Sequence, residues 1–154
     1  MNATRSVYFE DLAPGMRFDC PTREVTEQDI VRFAREFDPQ PFHLDREAAE
    51  ATFFQGLAAS GWHTAAMMMG MATRSDFQPA NGHIGMGVDG LRFQRPVRPG
   101  DTLHMHIKIL NARRSTSQPR FGVVKVRWEA CNDRGEVVAE ATPSMWIEAR
   151  EVRP

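Results

Sequence analysis

The chain has 154 residues, 42% of them hydrophobic and 25% charged, a balance that suits a folded domain with a sizeable core and excludes a disordered chain. A formal net charge of -1, with no dense run of Lys and Arg, gives no basis for binding nucleic acid. Cys20 and Cys131 stand far apart with no Cys-x-x-Cys, which argues against a redox motif or structural zinc and for reduced thiols in a cytoplasmic protein.

The opening Met-Asn-Ala-Thr-Arg, continued by Glu10 and Asp11, lacks the apolar centre of an export signal. Val7 to Phe9 reads as a short strand, and Pro14-Gly15 as a turn before a second strand at Met16 to Phe18. A helix is expected from Thr26 to Phe37: Thr26 caps it, and Ile30, Phe33, Ala34 and Phe37 recur on one face that enters the core. Asp38-Pro39 ends that helix, because the residue before a proline is pushed out of helical geometry, and Gln40-Pro41 repeats the restriction. Residues 38–43 therefore read as a stiff, non-helical loop. Asp45 caps a second helix reaching Phe53 or Phe54, with Gly56 as terminator.

From Ser60 to Ala72 the chain is apolar around nearly its whole helical circumference, so this helix belongs inside the molecule. The apolar run around it, Leu57 to Met71, is interrupted by Ser60, His63 and Thr64 and falls short of the roughly 20 residues of a membrane span. Beyond Gly82 the pattern changes to period two, clearest where Leu103, Met105, Ile107 and Ile109 alternate with His104, His106 and Lys108. Further strands are expected at His83 to Phe93, Phe121 to Ala130 and Glu136 to Ile147. Turns at Pro99-Gly100-Asp101 and Asn132 to Gly135 imply antiparallel neighbours. No repeat or linker divides residues 1–154. The expectation is one α+β domain in which an antiparallel sheet wraps a buried central helix, the layout called a hot-dog fold, with an open sheet face or edge suited to a homodimer or higher homo-oligomer.

The most specific local signal is Asp38-Pro39-Gln40-Pro41-Phe42-His43, a carboxylate and an imidazole five residues apart on a proline-stiffened segment. Five extended residues would hold the two side chains too far apart to share one water, so the segment must bend back between them. Together with Leu44-Asp45, Ala59-Ser60-Gly61 and Phe93-Gln94-Arg95-Pro96-Val97-Arg98-Pro99-Gly100-Asp101, it resembles the MaoC-like dehydratase and (R)-specific enoyl-CoA hydratase family, whose motif reads Asp-x-Asn-Pro-x-His. The resemblance implies reversible hydration of a trans-2-enoyl-CoA to the (R)-3-hydroxyacyl-CoA. It places Asp38 and His43 in the catalytic positions and gives the Gly61 backbone N–H to the thioester oxygen. It implies neither metal nor cofactor beyond the coenzyme A carried by the acyl-CoA substrate; the short apolar run, for its part, argues against a membrane partner. The chain departs from the family at Phe37 for Gly, Gln40 for Asn and Ser60 for His, which bears on acyl preference.

The chemistry suits the pair. Water addition needs one group to take a proton and another to deliver one to the α-carbon; His works near neutral pH, whereas a carboxyl donates only where its surroundings raise its pKa. Gln40, Ser60 and His63 are candidates for supporting the loop and pocket, although His63 reads more simply as a hydrogen-bonded residue in the first turn of the buried helix. His104 and His106 lack an evident third metal ligand and read as a solvated strand face. Met67 to Met69 suit either an acyl tunnel or plain core. Arg113, Arg114 and Arg120 flank a loop that could meet coenzyme A phosphates, but a solvated loop is the simpler reading. Two rivals to the hydratase reading are a hot-dog thioesterase and a non-catalytic acyl-CoA-binding domain.

Overall fold

A computed structural model describes residues 6–151. The opening pentapeptide, on which the reading about export partly rests, lies outside the described residues.

Six antiparallel strands, β1 (Arg17–Asp19), β2 (Arg23–Glu24), β3 (Ile84–Phe93), β4 (Thr102–Arg114), β5 (Phe121–Cys131) and β6 (Val137–Glu148), form the sheet. Four helices, α1 (Glu27–Phe37), α2 (Pro41–Leu44), α3 (Arg46–Glu50) and α4 (Gly61–Ala72), fill the interval between β2 and β3. The spatial order is β1-β4-β5-β6-β3, with β2 also on β4. Period-two patterning sets the registers: Ile107 lies opposite Trp128 and Ile109 opposite Val126, so one face of the sheet is continuously apolar. Ile107, Ile109, Val124, Val126 and Ile147, all fully buried, share one core cluster with Met67, Met68, Met71 and Ala72 of α4. This is the expected sheet wrapped around a helix.

Local signals placed α1 and α4. Thr26 accepts the Asp29 N–H at 3.1 Å and opens α1; the Ser60 hydroxyl accepts the Trp62 N–H at 3.3 Å and opens α4. Asp45 does the same for α3, taking the Ala48 N–H at 2.8 Å.

Several expectations need correction. Val7 makes only an isolated bridge to Pro79, and Phe9–Asp11 is a 3-10 turn, not a strand. Asp11 accepts the Tyr8 N–H at 2.9 Å, a local side-chain bond that competes with sheet pairing. The 38–43 segment is not wholly non-helical, for residues 41–44 form a helical turn with Pro41 in its first position, where a missing N–H costs nothing. The second expected helix ends at Glu50, because residues 51–56 turn and return the Gly56 N–H to the Ala49 carbonyl at 3.2 Å. Phe37 does not enter the core; it is 63% exposed, at the end of α1. Nor is α4 enclosed on every side by its own chain, since Trp62 and Met69 are exposed.

The turn at Pro99-Gly100-Asp101 does not join neighbours, because β3 pairs with β6 at the sheet edge. The reason is visible in the connector: Val97 is buried and its carbonyl takes the Ala59 N–H at 2.8 Å, so the chain after β3 is held against the approach to α4. The Asn132 turn does form the expected hairpin, its side-chain oxygen accepting from the N–H groups of Arg134 and Glu136 at 3.0 and 3.1 Å.

Candidate active site

The end of α1, the turn of α2 and the start of α4 bring three polar side chains together. The Asp38 carboxylate lies 3.4 Å (Oδ2) from His43 Nε2. The loop closes as the sequence requires: the Gln40 N–H donates to the Asp38 carbonyl at 2.8 Å, and the His43 N–H to the Gln40 carbonyl at 2.9 Å. His43 is 4% exposed, wedged against Phe42 and Phe54.

Each oxygen of Asp38 has its own donor. Gln40 Nε2 donates to Oδ1 at 2.6 Å and Ser60 Oγ to Oδ2 at 2.7 Å. Burial alone would push this carboxyl up, but the hydrogen bonds from Ser60 and Gln40, aided by the adjacent His43, hold it below the ordinary carboxylate range. The site therefore keeps Asp38 ionised, the opposite of what a proton-donating carboxyl needs. On the other side, His43 Nδ1 lies 2.7 Å from the Ala58 carbonyl. A carbonyl only accepts, so Nδ1 carries hydrogen and Nε2 is the atom that neutral imidazole offers to a proton.

Ser60 thus has two functions: its oxygen caps α4 and its hydrogen binds Asp38. The next residue, Gly61, shares with His43 a cavity of about 530 Å³, whose walls also include Phe54, Thr64, Phe93 and Arg95. As the first residue of α4, Gly61 presents an N–H that no intrahelical acceptor can reach. Glycine also spares a clash: a Cβ there would lie 2.5 Å from the Phe93 ring, which would have to shift.

Of the residues singled out in the sequence, Asp38, Gln40, His43 and Ser60 form one contact network, and Gly61 meets His43 across the cavity. His63 does not join them. It is buried and stacked on Phe33, its Nδ1 has no hydrogen-bond partner, and it lines a different cavity. The expected hydrogen bond for His63 is therefore absent at that nitrogen.

Two supporting groups escaped the sequence reading. The Ala58 carbonyl that fixes His43 is main chain and leaves no residue-type signal. Arg98 donates to the carbonyls of Phe54, Gly56 and Leu57, fixing the stretch that leads into α4. Its signal was its place in the Arg-Pro-Val-Arg-Pro-Gly-Asp run.

Among the remaining candidates, His104, Arg114 and Arg120 have structural partners. His104 contacts Asp133 at 2.9 Å, and among the described residues no three His, Cys, Asp or Glu side chains are grouped to hold a metal ion. Arg114 pairs with Glu10 and Arg120 with Glu148. Met67 and Met68 are core, whereas Met69 is 37% exposed. No helix of the described residues is long and apolar enough to cross a membrane.

Known proteins resemble the chain in sequence and in fold. The family described as MaoC like domain matches residues 10–130. The Bacillus subtilis protein YdeM is 29% identical over 138 residues, covering 90% of this chain and 96% of its own. The crystal structure of a MaoC-like dehydratase from Rhodospirillum rubrum superposes with a TM-score of 0.90 at 44% identity, over 95% of this chain and 99% of that one. The unliganded R-hydratase PhaJ1 from Pseudomonas aeruginosa does so with a TM-score of 0.77 at 25% identity, over 97% and 95% of the two chains.

Proposed function

The chain belongs to the MaoC-like dehydratase domain family, and from that premise we propose that it catalyses the reversible hydration of a trans-2-enoyl-CoA to the (R)-3-hydroxyacyl-CoA. The observation that carries the proposal is the 3.4 Å approach of an ionised Asp38 to a buried His43 whose Nε2 is kept available by the Ala58 carbonyl.

Asp38 and His43 then grip one water through its two hydrogens. The water oxygen adds to the β-carbon while Nε2 takes a proton, and the electron pair of the double bond moves onto the thioester oxygen. The Gly61 N–H meets that oxygen at the start of α4, where the helix dipole adds to it. Asp38 remains ionised and stabilises the imidazolium. The proton on Nε2 then passes to the α-carbon, restoring the thioester and the starting enzyme. Because the water and the proton come from one side, the addition is syn. On this reading Asp38, held by its two hydrogen-bond donors, orients the water and balances charge, and His43 carries the proton both ways.

We further assign the acyl-thioester to the 530 Å³ cavity, whose Phe54 and Phe93 walls suit an apolar chain and whose Arg95 lies toward solvent for the coenzyme's anionic groups.

Loss of the enoyl-thioester absorbance on a panel of acyl lengths tests the proposal. Turnover by the parent, with Asp38→Asn and His43→Ala each reduced by about 10²–10⁴-fold, is the expected result. Release of free thiol without hydration would move the assignment to a thioesterase. Binding without turnover, unchanged in both variants, would make the domain a carrier.

A further inference from the structure

We propose that Thr64 is a specificity-determining residue: its hydroxyl makes the cavity beside His43 prefer an acyl group that carries a hydroxyl on its γ-carbon over one that is plain hydrocarbon. The inference deepens the acyl-thioester reading of that cavity and rests on it.

Thr64 stands in α4 one turn after Gly61 and is 3% exposed. It lines the 530 Å³ cavity together with His43 and Gly61. Its N–H donates to the Ser60 carbonyl at 3.0 Å, but its hydroxyl has no partner among the described residues. A threonine in a helix can turn its oxygen back to a carbonyl three or four positions earlier. At helix ends in this chain Thr73 does so to Gly70 at 3.2 Å and Thr52 to Ala49 at 2.7 Å. Thr64 does not use that option. Nor is its oxygen closed off inside the fold, for the described side-chain atoms that are both sealed and unpartnered are nitrogens of Arg23, His63, His83 and Trp128. The Thr64 hydroxyl therefore opens on the cavity that the residue lines, and a buried hydroxyl calls for a partner there.

Its position selects which part of an acyl group it meets. Residues three apart share a helix face, and the helical rise sets Thr64 about 4.5 Å further along α4 than Gly61. With the thioester oxygen on the Gly61 N–H, that level falls past the carbonyl carbon, near the γ-carbon. The exposed Phe53 and Arg95 mark the mouth of the cavity, and Thr64 and the fully buried Val138 its inner end. Phe54 and Phe93 cover the carbons between. At the inner end a hydrocarbon chain would strip water from the Thr64 hydroxyl and return no hydrogen bond, whereas a substrate hydroxyl can both donate to it and accept from it. A carboxylate fits less well. Both arginines that line the cavity are committed, Arg98 to the carbonyls of Phe54, Gly56 and Leu57 and Arg95 beside Glu136 at 3.7 Å, so neither brings its charge to the inner end.

The test compares, by calorimetry, the binding of 4-hydroxybutanoyl-CoA with that of pentanoyl-CoA, in which a methyl group replaces the hydroxyl. It uses the full chain and Thr64→Val, which keeps the shape of the side chain and removes its oxygen. The parent is expected to bind the hydroxylated thioester about tenfold or more tightly, and Thr64→Val to bind the two equally or to prefer pentanoyl-CoA. The ratio of kcat/KM for trans-4-hydroxybut-2-enoyl-CoA and trans-pent-2-enoyl-CoA should move in the same way. Equal affinities in the parent, a preference that survives in Thr64→Val, tighter binding of succinyl-CoA than of the hydroxylated thioester, or binding of neither probe would each overturn the proposal. A general loss of folding in the variant cancels from a ratio measured on one protein. Hydration of both enoyl-CoAs without preference would remove this assignment and keep the hydratase reading; the expected affinity ratio without turnover would do the reverse.

Discussion

Ser60 is the residue at which this chain's departure from the family motif can be given a physical meaning. A histidine there would bring a second titratable ring beside Asp38; a serine brings a short neutral donor that holds Asp38 Oδ2 at 2.7 Å. Ser60→Ala removes that bond, so the carboxyl should titrate at higher pH than in the parent. The upward move is read directly from the pH titration of the Asp38 side-chain ¹³C carboxyl resonance in the variant and the parent, and an unchanged titration would remove Ser60 from the control of this charge. Gln40→Leu should act in the same direction through Oδ1. The same linkage applies to folding: a carboxyl held low in the folded state adds stability above its unfolded pKa, and this is lost as pH falls through the folded value. At this scale much could be read in the sequence. Asp38 and His43 were marked by residue type and spacing, and Ser60 and Gly61 by their place in the family resemblance. What could not be read was the protonation of Asp38, which depends on where two side-chain donors point in space.

Elements were legible where their causes are local. Thr26 and Asp45 each announce a helix start, and alternation announces β4. Pro41 misled because proline breaks a helix from inside but starts one from its first turn. The pairing of β3 with β6 was hidden since it depends on contacts distant in the chain, among them the bond from Ala59 to Val97. Two predictions belong here. Gly61→Ala places a methyl group against the Phe93 ring, and overpacking of this kind should cost about 1–3 kcal/mol in chemical denaturation. The double variant with Phe93→Ala should recover much of that loss, whereas a defect due only to backbone propensity would not be rescued. Arg98→Met removes the donor shared by three carbonyls while keeping the apolar stem. Faster amide exchange over residues 54–60 and a lower kcat with unchanged global helicity are expected, because those residues carry both the His43 anchor and the cap of α4.

For the whole molecule, the open question is what covers the free edge of β3. This strand is ten residues long with unpaired main-chain groups along its outer side, and Met86 and Val88 are 48% and 54% exposed there. Asp89, Arg92 and two register shifts hinder edge-to-edge pairing in part, but the strand carries no Pro or Lys. Trp62 and Met69 on α4 add exposed apolar surface at 64% and 37%. An edge of this kind in a stable protein calls for a partner, and a second copy joined edge to edge would satisfy both strands at once, since a two-fold axis makes the two surfaces identical. Sedimentation should therefore give the mass of two chains. The double variant Met86→Lys with Val88→Lys should sediment as one chain, because two ammonium groups on each edge would face those of the other copy. Its circular dichroism should be unchanged, for both side chains are already exposed within the single chain. Phe93, on this same strand, lies against Gly61, so on the proposed reaction separation of the copies would disturb the cavity assigned to the thioester. Loss of enoyl-CoA turnover in parallel with the dimer, across a dilution series of the parent, is the expected signature, and full activity in a demonstrated monomer would separate the edge from the chemistry.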